Sequence, residues 1–480
     1  MKMTNNPTAL IWFRRDLRLA DNPALHAALA DYRTVLPIYI HAPEEEAPWA
    51  PGSASRWWLH ESLEALDASL RQKGARLILR RGPSRRTLPA LCRETGAKTV
   101  FWNRLIEPAA RKRDRTVETA LREAGIAVEE KESALLYPPE TTVKEDGTPY
   151  RVFTPFWKNC LKSGLPASAR PAPNRLPPIP DGISSLSLEA LKLLPKTPWY
   201  ASIAACWQPG EAGAGNALTA FVDHALPDYS KGRDRPDLAL TSRLSPHLHF
   251  GEISPQRVAA EAQAATPPGS GAAAAFLREL GWREFSHALL CHFPSLPDTP
   301  LDARFERFPR ANDHADRFEA WRRGQTGIPL VDAGMRQLWR TGWMHNRVRM
   351  VVASFLVKNL LIPWQEGARW FWDTLVDADL ANNSQNWQWV AGCGADAAPY
   401  FRIFNPVLQG RKCDPEGNYV RRWVPELAKL PAPSIHAPWE TKETALKSAG
   451  IRLGDDYPLP IVDLKASRKQ ALDAFAHIRK

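Results

Sequence analysis

Between positions 377 and 389 the sequence reads DADLANNSQNWQW: two acids, three Asn, two Gln and two Trp, with Leu380 the only aliphatic residue larger than Ala. Asp377 and Asp379 are costly to bury without a partner, and Arg349 is a candidate for that role. The amides of Asn382 and Asn383 can both donate and accept, which suits a planar heteroaromatic ring such as a flavin. Trp364, Trp387 and Trp389 lie near this stretch in sequence. Indole is among the most easily oxidised side chains, so a buried Trp can relay an electron to a photoexcited acceptor; core packing is the default reading of any single Trp.

Other spacings point the same way. On a helix, Glu279, Trp282 and Arg283 fall at i, i+3 and i+4, which puts an acid, a stacking surface and a cation on one face. Asn346, Arg349 and Met350 repeat the spacing. Such mixed faces suit either the wall of a cavity for a planar polar ligand or a salt-bridged surface. In Thr241-Ser242-Arg243-Leu244-Ser245-Pro246, Ser245 is expected as an N-cap with Pro246 in the first turn, where free N–H groups attract an anion; an ordinary capped helix reads identically. GEAGAGNAL (210–218) has neither a preceding strand nor the third Gly of a dinucleotide fingerprint. His247 with His249, and His287 with Cys291 and His292, read as packing and not as metal ligands.

These residues need elements to hold them. ALIWF, TVLPIYI, ARLILR, KTVFW and IAVEE alternate with helical patterns over residues 1–132, the rhythm of βαβ units and a doubly wound, parallel, five-stranded sheet. Asp21-Asn22-Pro23 supplies an N-cap followed by Pro in the first turn, and Gly74 and Gly125 supply stops. Over 133–215 prolines multiply, which predicts a long, partly ordered connector. From 216 to 480 the periodicity is helical, which predicts an all-α domain.

Across 480 residues the formal charge is +11, which favours an anionic partner. Six Cys without a CxxC pair fit a reducing cytoplasm. No apolar run reaches membrane-spanning length; VVASFLVKNLLI is short and broken by Lys358. Of 19 Trp, ten lie between Trp282 and Trp423, the region that also holds the mixed faces.

With IWFRRDLRLADNPAL, TSRLSPHLHFGEIS, GWREFSH, TGWMHNRVRM, DADLANN, WQW and DAAPYFRIFNPVLQG, the chain resembles the DNA photolyase and cryptochrome family over nearly its whole length. It looks most like bacterial cyclobutane pyrimidine dimer photolyases, including a subgroup related to plant cryptochromes. The resemblance implies FAD in the helical domain, with Tyr229, Thr241, Ser242, Leu244 and Ser245 on its adenine and diphosphate side. It implies an Arg349–Asp377 pair beside the flavin, Asp379 at the ring, and Asn383 facing the flavin N5. Plant cryptochromes usually carry Asp there, so Asn383 favours the photolyase branch. Glu279, Trp282, Asn346 and Met350 match the pocket for a flipped dimer, and Arg233, Arg283, Arg347 and Gln409 are assigned to DNA.

The activity implied is light-driven repair of UV-damaged DNA, in which an electron passes from excited FADH⁻ to the dimer and returns. A cryptochrome-like photoreceptor is the alternative. Trp387 and Trp364 match the first two members of a three-Trp reduction chain, but Phe308-Pro309-Arg310-Ala311 stands where the third belongs, which predicts slow photoreduction or a route through Trp389 or a nearby Tyr. The family commonly carries an antenna, either a methenyltetrahydrofolate or a deazaflavin. Trp57 and Trp58 could line its site or pack the first core. The expected state is a cytoplasmic monomer.

Overall fold

The computed structural model describes residues 8–165, 169–267, 271–397 and 401–479. Two units emerge: Met1–Pro227 with Ser242–Pro294, and Asp228–Thr241 with Ser295–Lys480.

The first unit contains the sheet. Strands β1 (Thr8–Phe13), β2 (Thr34–His41), β3 (Ile78–Arg81), β4 (Thr99–Asn103) and β5 (Ala127–Lys131) are all parallel, in the order β3-β2-β1-β4-β5. Helices α1 (Pro23–Asp31), α2 (Ser53–Gln72), α3 (Ser84–Thr95) and α4 (Pro108–Glu123) connect them, as the alternation predicts. β1, β2 and β4 are nearly continuous buried runs because parallel strands are covered on both faces. Asn22 caps α1, its Oδ1 accepting from the Leu25 N–H at 3.1 Å, and Pro23 opens the helix.

Strand order reverses between β1 and β4, the place where open α/β sheets bind ligands. Here that crevice is filled from within. Arg14 Nη1 meets Asp114 Oδ2 at 2.8 Å, and Asn103 Nδ2 donates to Asp16 Oδ2 at 2.6 Å and Asn22 Oδ1 at 2.7 Å, all buried. Trp57 and Trp58 also belong to the core, 1% and 0% exposed, with the Trp58 indole N–H donating to Glu252 at 2.9 Å.

The proline-rich stretch is more ordered than its composition suggests. It contains α5 (Phe153–Lys162), which buries Phe153, Phe156, Trp157 and Cys160 and packs on the long helix Gly271–His292. Burial of those aromatics outweighs the surrounding prolines. Gly281 makes the close approach possible: a Cβ there would lie 2.6 Å from the Trp157 ring.

The second unit is helical, with no strand among its described residues. Helices Pro329–Thr341, Asn346–Ser354, Trp364–Thr374 and Leu380–Ala391 surround a core that includes Trp321, Val348, Val352, Phe355, Phe371 and Trp387.

Candidate active site

In the second unit, the acid-and-amide stretch divides at a helix start. Asp379 is the N-cap of Leu380–Ala391, and its Oδ1 accepts from the Asn382 N–H at 2.8 Å and from Asn382 Nδ2 at 2.7 Å. Capping satisfies a backbone donor and holds the carboxylate at the positive end of the helix dipole. Four residues on, Asn383 Nδ2 donates to the Ala368 carbonyl at 3.0 Å, which fixes the amide with its Oδ1 on the other side.

Asp377 receives Arg349. The guanidinium Nη2 lies 2.8 Å from Oδ2 and 3.1 Å from Oδ1, and Nε donates to the Met344 carbonyl at 2.7 Å. Asp377 is nearly buried, its side chain 4% exposed against 24% for Arg349, so the pair meets its polar needs internally. Asn346, Arg349 and Met350 share the helix Asn346–Ser354.

His345, just before that helix, was not singled out by the sequence. Its Nδ1 accepts from the Arg347 N–H at 3.2 Å, which assigns the proton of the neutral ring to Nε2. Burial, reinforced by Arg349, Arg347 and Arg233 against the opposing Asp234, lowers its pKa to about 4. Nε2 is buried and has no partner among the described residues, and the same holds for both amide atoms of Gln385. Buried polar atoms of this kind are completed by a ligand or an ordered water. The signal for both was type and place: one polar residue inside MHNRVRM, one inside DADLANNSQNWQW.

Tyr229 is buried, with Arg233 5.6 Å from its ring centroid, and Thr241 is half-buried. Arg347 is held by Asp234 at 2.8 Å, and Gln409 is half-buried in Pro406–Cys413. Trp364 and Trp387 are 7% and 3% exposed on adjoining helices. Gly367 admits Trp387, since a Cβ there would meet its ring at 2.2 Å. Phe308 and Arg310, with Trp364, line a void of about 40 Å³ where the expected third Trp is missing. The Trp389 indole N–H donates to the Asp396 carbonyl at 3.1 Å.

In the first unit, Glu279 and Trp282 lie half-buried one turn apart on Gly271–His292. Phe153 of α5 stacks on Trp282, a contact no local pattern announces. Arg283 follows on the same helix; its Nη1 binds buried Glu284 at 3.1 Å, and its side chain is 12% exposed. Glu284 also accepts the N–H groups of Leu136 and Tyr137. Ser245 is not an N-cap. The helix Ser245–His249 has Leu244 at that place with no side-chain cap, because left-handed Arg243 (φ 53°) turns the chain before it. Ser242 Oγ accepts from the Leu244 N–H at 3.4 Å; Leu244 is buried and Ser245 exposed.

Among the described residues no cluster of three His, Cys, Asp or Glu could hold a metal, and no helix is long and apolar enough to cross a membrane.

Residues 9–177 match the family model described as DNA photolyase, and residues 276–477 match the FAD binding domain of DNA photolyase. The chain is 48% identical to a deoxyribodipyrimidine photo-lyase of Agrobacterium fabrum over 98% of both chains. It is 42% identical to cryptochrome-2 of Arabidopsis thaliana, over 100% of this chain and 80% of that one. A crystal structure of a bacterial class III photolyase from Agrobacterium tumefaciens superposes with a TM-score of 0.95 at 47% identity, covering 100% of both chains. An α/β sheet domain, a helical FAD-binding domain and this full-length likeness agree, and the chain belongs to the DNA photolyase and cryptochrome family.

Proposed function

We propose that this protein is a deoxyribodipyrimidine photo-lyase that uses blue light and fully reduced FAD to split cyclobutane pyrimidine dimers in UV-damaged DNA. The observation that carries the reading is the full-length likeness to a bacterial photolyase. The residues present fit a flavin, because the unpartnered His345 Nε2 and Gln385 amide lie beside or on the helices of Arg349 and Asn383. When bound, the flavin supplies a photoexcited electron to the dimer and recovers it after the ring opens.

The chain's own residues would do the rest. Arg349 and Asp377 hold a charged wall at fixed geometry, and Asp379 sets the start of the helix that presents Asn383. The Asn383 Oδ1 would accept from the flavin N5–H. Tyr229, Thr241, Ser242, Leu244 and Ser245 are assigned to the adenine and diphosphate side. Trp282 offers a stacking face to a base that is already poorly stacked, which lowers the flipping cost to a few kcal/mol. Glu279 would hydrogen-bond the pyrimidine edge and stabilise charge developing there. Asn346 and Met350 are also assigned to dimer recognition. Arg233, Arg283, Arg347 and Gln409 would contact DNA, positioning the duplex without reading its sequence.

We assign residues 1–132 to an antenna-binding domain, 133–215 to the connector and 216–480 to catalysis. The antenna would be a methenyltetrahydrofolate or a deazaflavin. The six free Cys suit work in the cytoplasm, and we propose a monomer.

The test uses chemically reduced protein, blue light and two oligonucleotides, one with a thymine cyclobutane dimer and one with a (6-4) photoproduct. Light-dependent restoration of the first alone is expected. No restoration of either, with FAD bound and reduced, would favour the photoreceptor reading that the cryptochrome likeness offers.

A further inference from the structure

Charge is distributed unevenly along this chain. Residues 80–122 contain twelve Lys or Arg against four Asp or Glu, a net +8 within a protein of net +11. That stretch spans the end of β3, α3, β4 and most of α4. α3 and α4 pack side by side, burying Leu88, Leu91 and Cys92 with Val117 and Leu121 in the sheet core, so their outer faces are turned to solvent.

Those faces are basic. Arg85, Arg86 and Arg93 of α3 and Lys112 and Arg115 of α4 are exposed, as are Arg81 before α3 and Lys98 after it. Most other cations of the segment are engaged: Arg80 with Glu94, Arg104 with Glu132 and Glu140, Arg113 with Asp114, and Arg122 with Glu118. Arg81, Arg85, Arg86, Arg93, Lys112 and Arg115 have no acidic side chain at ion-pair distance among the described residues. From Arg86 to Arg93 the row runs roughly 10 Å along α3.

The make-up of the surface distinguishes among polyanions. A membrane-binding helix places large apolar side chains beside its cations; no large hydrophobic residue between 80 and 122 is exposed. Reading single-stranded nucleic acid requires aromatic stacking surfaces, and Trp102 and Phe101 are both buried. What remains is a field made mostly of arginine, whose planar fork matches phosphate. Such a surface meets a duplex backbone irrespective of its sequence.

We propose that the outer face of α3 and α4 is a second DNA-binding surface, one that holds undamaged duplex through its phosphates and takes no part in lesion recognition. It would keep the protein on DNA between lesions by counterion release. The inference concerns undamaged DNA in darkness, so it stands or falls separately from the repair reading.

The test compares the wild type with a variant carrying Arg85→Gln, Arg86→Gln, Arg93→Gln, Lys112→Gln and Arg115→Gln, and with a second carrying only Lys112→Gln and Arg115→Gln. Binding of a labelled undamaged duplex is followed by fluorescence anisotropy in the dark across a KCl series. Each lost phosphate contact should lower the slope of log affinity against log salt by about 0.9. We expect a fall of about two or more in the first variant and a smaller fall in the second, with FAD content and light-driven repair of a dimer-bearing oligonucleotide unchanged. Equal slopes and affinities in all three proteins would overturn the proposal. So would binding to phosphatidylglycerol vesicles that the substitutions abolish while duplex binding persists.

Discussion

Phe153 lies flat against Trp282, ring centroids 3.8 Å apart and planes 7° from parallel, although 129 positions separate the two in sequence. Arg278 sits 5.6 Å from the Phe153 centroid, and Phe285 closes edge-on against both rings. One face of the Trp282 indole is therefore occupied by protein, and its orientation does not depend on a ligand. A base stacking on the opposite face would meet a rigid surface, its ordering cost already met by folding.

Removing that support should weaken lesion binding without touching the flavin. For Phe153→Ala we expect affinity for a dimer-bearing duplex to fall by roughly two- to tenfold, in keeping with about 0.5–1.5 kcal/mol for an aromatic pair beyond its buried area. Phe153→Leu should recover most of the folding stability and little of the affinity. Binding titrations beside FAD absorbance check this; unchanged affinity in both variants would make Phe153 a packing residue only.

Asp377→Asn keeps the shape of the acid and removes its charge from Arg349. A hydrogen bond to a charged group contributes about 1.5–3 kcal/mol, and exposure of Arg349 puts the expected loss at the lower end. The variant should purify with less FAD and show at least about tenfold weaker flavin affinity. The ratio of flavin to protein absorbance reports the outcome, and full occupancy would remove Asp377 from the flavin site.

Photoreduction should be slow in the wild type, because no Trp stands in the segment of Phe308 and Arg310 that lines the void beside Trp364. Arg310→Trp should raise the rate at which oxidised flavin is reduced under blue light with a thiol donor, and Trp364→Phe should lower it. Neither should alter repair by chemically pre-reduced protein. A long-lived Trp radical of normal yield in the wild type, seen by transient absorption and indifferent to Arg310→Trp, would assign the route elsewhere; Trp389→Phe then tests the next donor.

Lys358 should make stability depend on pH. Burial lowers its pKa from 10.5 to about 7, with Arg402 adding to the effect and Cys393 opposing it. Between those values the unfolded chain holds a proton that the folded chain has released, so stability rises with pH from about 7 to 10.5 and the penalty is complete below that window. The Phe401 ring, 3.9 Å from Nζ, and the Arg402 carbonyl favour the charged form and offset part of the penalty. Lys358→Met should therefore raise the melting temperature at neutral pH, with the gain shrinking towards about pH 10. A gain that does not vary with pH would show that packing, and not charge, is responsible.

Much of this protein was legible in the sequence because the signals are local. Strand and helix alternation, the Asn22 cap, and the one-turn spacings of Glu279 with Trp282 and of Asn346 with Arg349 and Met350 follow from backbone periodicity alone. Arg349 could be matched to Asp377 because a nearly buried acid needs a cation and the motif offers one. Only the tertiary structure decided which distant groups compete for a side chain. It gave Trp282 its Phe153 backing, turned Arg283 to Glu284, filled the β1–β4 crevice with Arg14 and Asp114, and made room at Gly367 for Trp387. Chain periodicity states which face a residue takes, whereas packing and charge pairing across long loops depend on what the rest of the fold brings to that face.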